Sequence, residues 1–245
     1  MLVHEDCAYR SKLQRLDKIP DLQPHTAADR GTQIHQEAED YVTGVSSLTH
    51  DLHHFADDLT SLAKHYAAGR IVCEEEWAFD RNWGVTEWAK GWLRLKCDAV
   101  CHLSPKHLVV IDYKTGKRFN NEIKHRGQLE LYAVCAMLRY PKIDKVTCEL
   151  WYFDQNELAS FEMTRNELKR YLKLYDIRGN RMTNDVIFKP NPNIETCKYC
   201  PYRPGKQQVC NCGIDVDKVK AEAKVKSAQP IVFVKTPSPT DSMFE

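Results

Sequence analysis

Two apolar, strand-like segments of this chain each carry one aspartate, and these two positions constrain it more than any other feature. Asp98 lies within the first segment, residues 93–102, and Asp112 directly follows the apolar run 108–111 of the second. Only a short turn separates the segments, so they are predicted to pair as neighbouring strands. Carboxylates at the ends of paired strands can converge on a divalent cation, which prefers oxygen ligands. Lys114 shares the strand face of Asp112, because strand side chains alternate with period two.

The composition is typical of a globular protein with one sizeable core. Hydrophobic residues make up 42% and charged residues 28% of the 245 residues, which are ordinary fractions for such a chain. No apolar run approaches the roughly 20 residues of a membrane span, and the N-terminus lacks the apolar stretch of a signal peptide. We therefore expect a cytoplasmic protein without membrane contact. The net charge of +1 implies that any contact with nucleic acid uses local basic patches.

Apolar periodicity predicts an α/β fold, in which a mixed sheet is flanked by helices. The predicted helices cover residues 26–42, 51–68, 126–139 and 165–178, and the predicted strands cover residues 71–79, 93–102, 108–113 and 146–153. His35 lies on the first of these helices. Gln128 and Tyr132 lie on the third, where their spacing of four places them on one face.

The ten cysteines fall into two sets. Five lie in apolar contexts and are predicted to be buried: Cys73, Cys97, Cys101, Cys135 and Cys148. A second set, Cys197, Cys200, Cys210 and Cys212, lies in a segment rich in Pro and Gly that lacks core residues. Disulfides are not expected in a reducing compartment, so these cysteines are read as ligands of zinc or of an iron–sulfur cluster.

The order His35, Asp98, Asp112-x-Lys114, Gln128-x-x-x-Tyr132 resembles the PD-(D/E)XK nuclease superfamily. It is most similar to the RecB-type exonuclease branch, which includes CRISPR-associated iron–sulfur nucleases and bacteriophage relatives. Three strings carry the resemblance: RGTQIH at 30–35, IDYKTG at 111–116 and GQLELY at 127–132. The chain departs from the family pattern in two places, because no glycine directly precedes the first metal aspartate and the gap between Cys200 and Cys210 is long.

The resemblance implies a restriction-endonuclease-like core and a Mg²⁺- or Mn²⁺-dependent deoxyribonuclease. The implied metal ligands are His35, Asp98, Asp112 and the backbone carbonyl of Tyr113. Lys114 would orient and deprotonate the attacking water or stabilise charge on the scissile phosphate. Gln128 would contact the water or the phosphate, whereas Tyr132 would either join it there or pack in the core.

The resemblance also implies that Cys7 belongs with the cysteines near the C-terminus. A [4Fe–4S] cluster would use Cys7, Cys197, Cys200 and either Cys210 or Cys212, while a zinc site would use the four clustered cysteines alone. Three regions are thus expected. Residues 1–190 form the nuclease core with the N-terminal helices, 191–214 form the metal-cluster segment packing with Cys7, and 215–245 form a charged helix and a disordered tail.

The implied substrate is single-stranded DNA or DNA ends in replication, recombination or repair, in the host cytoplasm if a bacteriophage encodes the chain. Lys117 and Arg118 form a basic turn that could bind DNA, and the tryptophans of residues 83–92 could line its path. The tail could dock on a replication or recombination protein. The alternative function is a catalytically silent DNA-binding or adaptor module with a structural metal cluster.

Overall fold

The computed structural model describes residues 1–23, 26–116, 118 and 122–227. The helices are α1 (Leu2–Asp6), α2 (Ala8–Arg15), α3 (Thr26–Thr43), α4 (Ala56–Ala67), α5 (Glu122–Arg139), α6 (Leu168–Thr183), α7 (Ile194–Lys198) and α8 (Val216–Ser227). The strands are β1 (Ile71–Phe79), β2 (Leu93–Ser104), β3 (His107–Lys114), β4 (Lys145–Tyr152) and β5 (Glu157–Thr164). Lys117 and the predicted tail from residue 228 lie outside the described residues. Within them, no helix is long and apolar enough to cross a membrane.

The contacts between residues divide the chain into two compact units. One unit is residues 24–184, and the other combines residues 1–23 with the residues from 185 onward. The sequence prediction placed the N-terminal helices with the nuclease core in residues 1–190. In the structure, α1 and α2 group with the cysteine-rich segment, whereas α3 and α4 group with the sheet.

Residues 24–184 form a five-stranded mixed sheet in the order β1-β2-β3-β4-β5. Strands β3 and β4 are parallel, and the other neighbouring pairs are antiparallel. Parallel neighbours need a long crossover, which α5 supplies. The predicted α/β class with a mixed sheet and flanking helices is confirmed. The prediction lacked β5, an edge strand that pairs with β4.

One face of the sheet is covered by α3 and α4. Ile34, Ala38 and Val42 recur every four residues on α3, and they pack with Ala99 and Ile111 of the sheet in one buried cluster. Asp112 lies between Ile111 and Tyr113, which both belong to that cluster. Its side chain therefore points to the opposite face, where α5 packs on the sheet.

The second unit is built from α1, α2 and the cysteine-rich segment. A small core combines Leu13 of α2 with Cys200, Tyr202 and Cys210. The Tyr202 hydroxyl donates to the backbone carbonyl of Ile19 at 2.7 Å. These contacts tie residues 1–23 to the chain beyond residue 185, which are far apart in sequence.

Candidate nuclease active site

The sheet splits between β2 and β3, and the two aspartates lie at the split. Pairing of β2 with β3 ends at Ala99 and Ile111, although β3 stays paired with β4 as far as Lys114. Asp98 and Asp112 are the next residues on the two diverging strands. The backbone N–H of Tyr113 donates to Oδ2 of Asp98 at 2.6 Å, so a side chain replaces a strand partner there. The two aspartates are therefore neighbours where the strands part, and their convergence on a cation stays a prediction.

His35 reaches this split from α3. Its Nδ1 lies 3.1 Å from Oδ1 of Asp98, and its ring meets the Tyr113 ring edge-on. Burial disfavours the imidazolium, but the hydrogen bond and the charge of Asp98 outweigh it, so the pKa of His35 is raised. An ionised carboxylate only accepts, so Nδ1 carries a proton and Nε2 faces away from Asp98.

Asp112 is the most buried charged group of the site, with 5% of its surface exposed. Its Oδ1 accepts from the Tyr132 hydroxyl at 2.8 Å and from Nε2 of Gln128 at 2.9 Å. Its Oδ2 is buried and is paired with the Lys114 ammonium, which lies against it. Burial and the nearby charge of Asp98 raise the pKa of Asp112, and Lys114 offsets part of that effect.

These donors suit a hard divalent cation. Two neighbouring carboxylates, one of them buried, repel each other, and a divalent cation bound to both would relieve that cost. Asp98 and Asp112 supply the oxygen ligands that Mg²⁺ prefers. In the part of the chain that the structure describes, no three His, Cys, Asp or Glu side chains are already gathered around an ion-sized space.

Gln128 and Tyr132 share a face of α5, as their spacing predicts, and both contact Asp112. Tyr132 is buried, and its hydroxyl also accepts from Nε2 of Gln128 at 2.9 Å. The observed partner of both side chains is thus a carboxylate. The sequence suggested contact with water or substrate phosphate for Gln128, and either that contact or core packing for Tyr132.

Two residues near the site escaped the sequence analysis. His125, one turn before Gln128 on α5, hydrogen-bonds through Nδ1 with the Tyr152 hydroxyl. Burial, with the charge of Lys114, lowers the pKa of His125 to about 4. The sequence signal that could have identified His125 is its spacing of three from Gln128, which places both on one face of the helix.

Glu74 lies on β1 at the level of Asp98 and has a φ of 54°, which no sequence pattern predicts. Such strained positions cluster at functional sites.

The basic turn after Lys114 is only partly described. The backbone N–H of Arg118 donates to Oε1 of Gln155 at 2.7 Å, and its guanidinium lies 3.5 Å from the Glu157 carboxylate. The charge of Arg118 is therefore partly balanced within the protein. Lys117, its predicted DNA-binding neighbour, lies outside the described residues.

Residues 3–205 match the sequence profile of the PD-(D/E)XK nuclease superfamily. The chain belongs to this superfamily. Among similar solved structures, SSO0001 shares 17% identity over 76% of this chain and 82% of its own, with a TM-score of 0.33. A "Putative exonuclease" from Eubacterium rectale shares 11% identity over 79% of each chain, with a TM-score of 0.44. A comparison with curated proteins finds no match.

Membership of the PD-(D/E)XK superfamily supports a metal-dependent nuclease, because nucleases of this superfamily use divalent ions such as Mg²⁺ or Mn²⁺. The donor set at the split in the sheet agrees with this metal requirement, because its nearest side chains are two carboxylates and an imidazole.

This PD-(D/E)XK chain also has a cysteine-lined cavity in its second unit. The cysteines that line it are Cys7, Cys197, Cys200, Cys210 and Cys212. Four of them are buried or half-buried, whereas Cys212 is exposed. The sulfur atoms of Cys210 and Cys212 lie 3.4 Å apart. The structure thus brings Cys7 to the clustered cysteines, as the resemblance implied.

Backbone amides point at three of these sulfur atoms. The N–H of Ile214 donates to Cys197 at 3.5 Å, and the N–H groups of Tyr202 and Cys212 donate to Cys200 and Cys210. Burial nevertheless raises the pKa of Cys210 to about 12. The amides would stabilise thiolates once a metal displaced the protons, as hydrogen bonds to sulfur do in metal centres.

Proposed function

We propose that this protein is a metal-dependent DNA exonuclease of the RecB type, acting on single strands or DNA ends in replication, recombination or repair. One observation carries the proposal. Asp98 and Asp112 come together where β2 leaves β3, and Lys114 lies against Asp112 at the same point. A carboxylate pair with an adjacent ammonium can serve phosphodiester hydrolysis, whereas a DNA-binding scaffold has no need for a buried carboxylate next to a second one.

Asp98, Asp112 and His35 would hold the divalent ion, with the carbonyl of Tyr113 as a further ligand. A bound Mg²⁺ or Mn²⁺ supplies a Lewis acid that polarises the phosphate and lowers the pKa of a bound water. The protein fixes the ligands beforehand. Tyr113 N–H and His35 hold Asp98, while Gln128 and Tyr132 hold Asp112.

Lys114 is the proposed catalytic cation. Its ammonium is anchored beside Asp112 and remains partly exposed, so it can reach a phosphate that enters the split. From there it can orient the attacking water or donate a hydrogen bond to the phosphate as negative charge develops. The single-stranded substrate preference remains part of the proposal.

Active-site substitutions test the chemistry. Asp112→Asn and Lys114→Ala are expected to abolish Mg²⁺-dependent cleavage of end-labelled DNA while keeping cooperative thermal unfolding. Asp57→Asn, on the exposed surface of α4, is the control and should cleave like the wild type. Wild-type rates in both active-site variants would show that the proposal is wrong.

Whether cleavage starts from a DNA end is tested with a second pair of substrates. An exonuclease requires an end, so linear single strands should be degraded while covalently closed circular strands of the same sequence persist. Linearisation of the circles at a comparable rate would replace the exonuclease assignment with an endonuclease.

We also propose that the cysteine-lined cavity holds a [4Fe–4S] cluster on Cys7, Cys197, Cys200 and Cys210. The exposure of Cys212 and the position of Cys7 in the lining of the cavity support this set over a zinc site on the four C-terminal cysteines. The cluster would cross-link α2 to the chain beyond residue 185 and so stabilise a unit with few apolar core residues.

A further inference from the structure

A basic groove runs between α6 and the loop that connects β1 to β2. The residues that line it are Arg81, Asn82 and Trp83 of the loop and Lys169, Leu172, Lys173 and Asp176 of α6. The groove is open to solvent and has a volume of about 430 Å³. This volume is large for a single ion and falls in the range of ligand clefts. We call this feature the α6 groove.

The positive charges of the α6 groove are poorly balanced. Lys169 and Lys173 are exposed one helical turn apart, and neither forms an ion pair with a described residue. Nη1 of Arg81 donates to Oδ1 of Asn180 and to the Thr183 hydroxyl, both at 3.0 Å and both neutral. Among the described lining residues, Asp176 is the one carboxylate, and its Oδ1 accepts from Trp83 Nε1 at 3.0 Å.

The floor of the α6 groove is held by aromatic packing. Trp83 has a φ of 65° and meets Trp92 edge-on, with ring centroids 5.5 Å apart. The Arg81 guanidinium lies 5.6 Å from the Trp92 ring centroid. Only 7% of Trp83 is exposed, so its ring has no free face for stacking on a base. A ligand of this groove is therefore recognised by charge and not by base identity.

The α6 helix also supports the helix that carries Gln128. The Tyr175 hydroxyl of α6 donates to the backbone carbonyl of Gly127 at 2.6 Å. Gly127 directly precedes Gln128, which contacts Asp112. The groove is thus built on the element that backs one wall of the nuclease centre.

We propose that the α6 groove binds the phosphate backbone of a DNA strand at a point outside the active centre. The inference rests on the proposed nuclease function, to which it adds a phosphate-binding subsite. A chain with a net charge of +1 has little long-range attraction for DNA, so a local cluster of unbalanced cations must supply it. A substrate long enough to reach the groove gains affinity, whereas a minimal phosphodiester gains none.

Binding without metal tests the groove separately from the chemistry. The variant Lys169→Ala/Lys173→Ala is compared with Lys64→Ala/Lys142→Ala, which removes two exposed lysines elsewhere and gives the same net charge. Fluorescence anisotropy with a long labelled single strand in EDTA measures the affinity across a salt series. The groove variant should bind on the order of tenfold more weakly at low salt, with a log–log salt slope shallower by about 1.4, since each phosphate contact on a single strand contributes about 0.7. Equal affinities and slopes in the two variants would overturn the inference.

Cleavage separates this inference from the proposed function. In Mg²⁺, the groove variant should hydrolyse bis(p-nitrophenyl) phosphate at the wild-type rate while its kcat/KM on long strands falls by about the factor lost in binding. If the wild type binds DNA through the groove yet cleaves neither substrate, the nuclease proposal fails and the groove stands. If the wild type cleaves and the groove variant matches the lysine control on long strands, the groove inference fails alone.

Discussion

The hydroxyl of Tyr132 donates a 2.8 Å hydrogen bond to Oδ1 of Asp112, and the two groups are buried together. The bond determines which oxygen of Asp112 is available. Because Tyr132 and Gln128 both occupy Oδ1, the oxygen that neither of them contacts is Oδ2, which pairs with the Lys114 ammonium. The tyrosine therefore orients the carboxylate that we propose as a metal ligand.

Tyr132→Phe should weaken metal binding without removing the ligand itself. Loss of a hydrogen bond to a ligating group typically lowers metal affinity by about 10- to 100-fold, so the Mg²⁺ concentration for half-maximal cleavage should rise by at least about tenfold. The maximal rate at saturating Mg²⁺ should change far less. Tyr66→Phe, at an exposed position, is the control. An unchanged Mg²⁺ dependence in Tyr132→Phe would mean that the bond does not orient Asp112.

The cysteine ligands can be identified by single substitutions. Cys7→Ser should lose its iron and its broad visible absorbance after anaerobic purification, because Cys7 lines the cavity with the clustered cysteines. Cys212→Ser should retain both, because Cys212 is exposed while Cys210 is buried. Iron, sulfide and zinc per chain are the measurements. Bound zinc that depends on Cys212 and not on Cys7 would contradict the cluster and favour the zinc site.

Local sequence patterns predict part of the geometry of the candidate site because its residues lie on regular elements. The alternation along β3 and the spacing of four on α5 are local, and they place Asp112 with Lys114 and Gln128 with Tyr132. What a side chain contacts depends on how the elements pack. Helical spacing therefore predicts that Gln128 and Tyr132 project together, but not that both meet Asp112.

Two features of the fold could not be predicted from local pattern. The edge strand β5 buries few apolar side chains, chiefly Phe161 and Met163, so its period-two signal is weak. The grouping of residues 1–23 with the cysteine-rich segment depends on contacts such as that between Tyr202 and Ile19, which are 183 residues apart. Only the resemblance, through Cys7, indicated that grouping.

Two helical glycines should respond oppositely to alanine. A Cβ on Gly179 of α6 would lie 2.5 Å from the Trp92 ring, whereas one on Gly127 of α5 would lie 3.7 Å from the Tyr175 hydroxyl. Alanine favours a helix by about 1 kcal/mol, but overpacking costs roughly 1–3 kcal/mol. Gly179→Ala should therefore lower the free energy of unfolding, and Gly127→Ala should raise it. Urea denaturation measures both, and equal stabilisation by the two variants would show that Trp92 moves aside freely.

His125 should make stability depend on pH. Burial, the charge of Lys114 and that of Lys124 lower its pKa from 6.5 to about 4, against an opposing effect of Glu122. Between these pH values the unfolded chain binds a proton on His125 that the folded chain does not. The free energy of unfolding therefore falls as the pH falls from 6.5 towards 4. His125→Asn keeps an acceptor for the Tyr152 hydroxyl but does not titrate in this range.

The difference in unfolding free energy between the wild type and His125→Asn isolates this one group from the other carboxyl and imidazole titrations. Urea denaturation at successive pH values measures it. As the pH falls, the free energy of unfolding should fall more in the wild type than in the variant. The reason is that only the wild type must keep a buried imidazole neutral beside Lys114. A difference that stays constant from pH 6.5 down to about 4 would mean that His125 is protonated equally easily in the folded and unfolded chains.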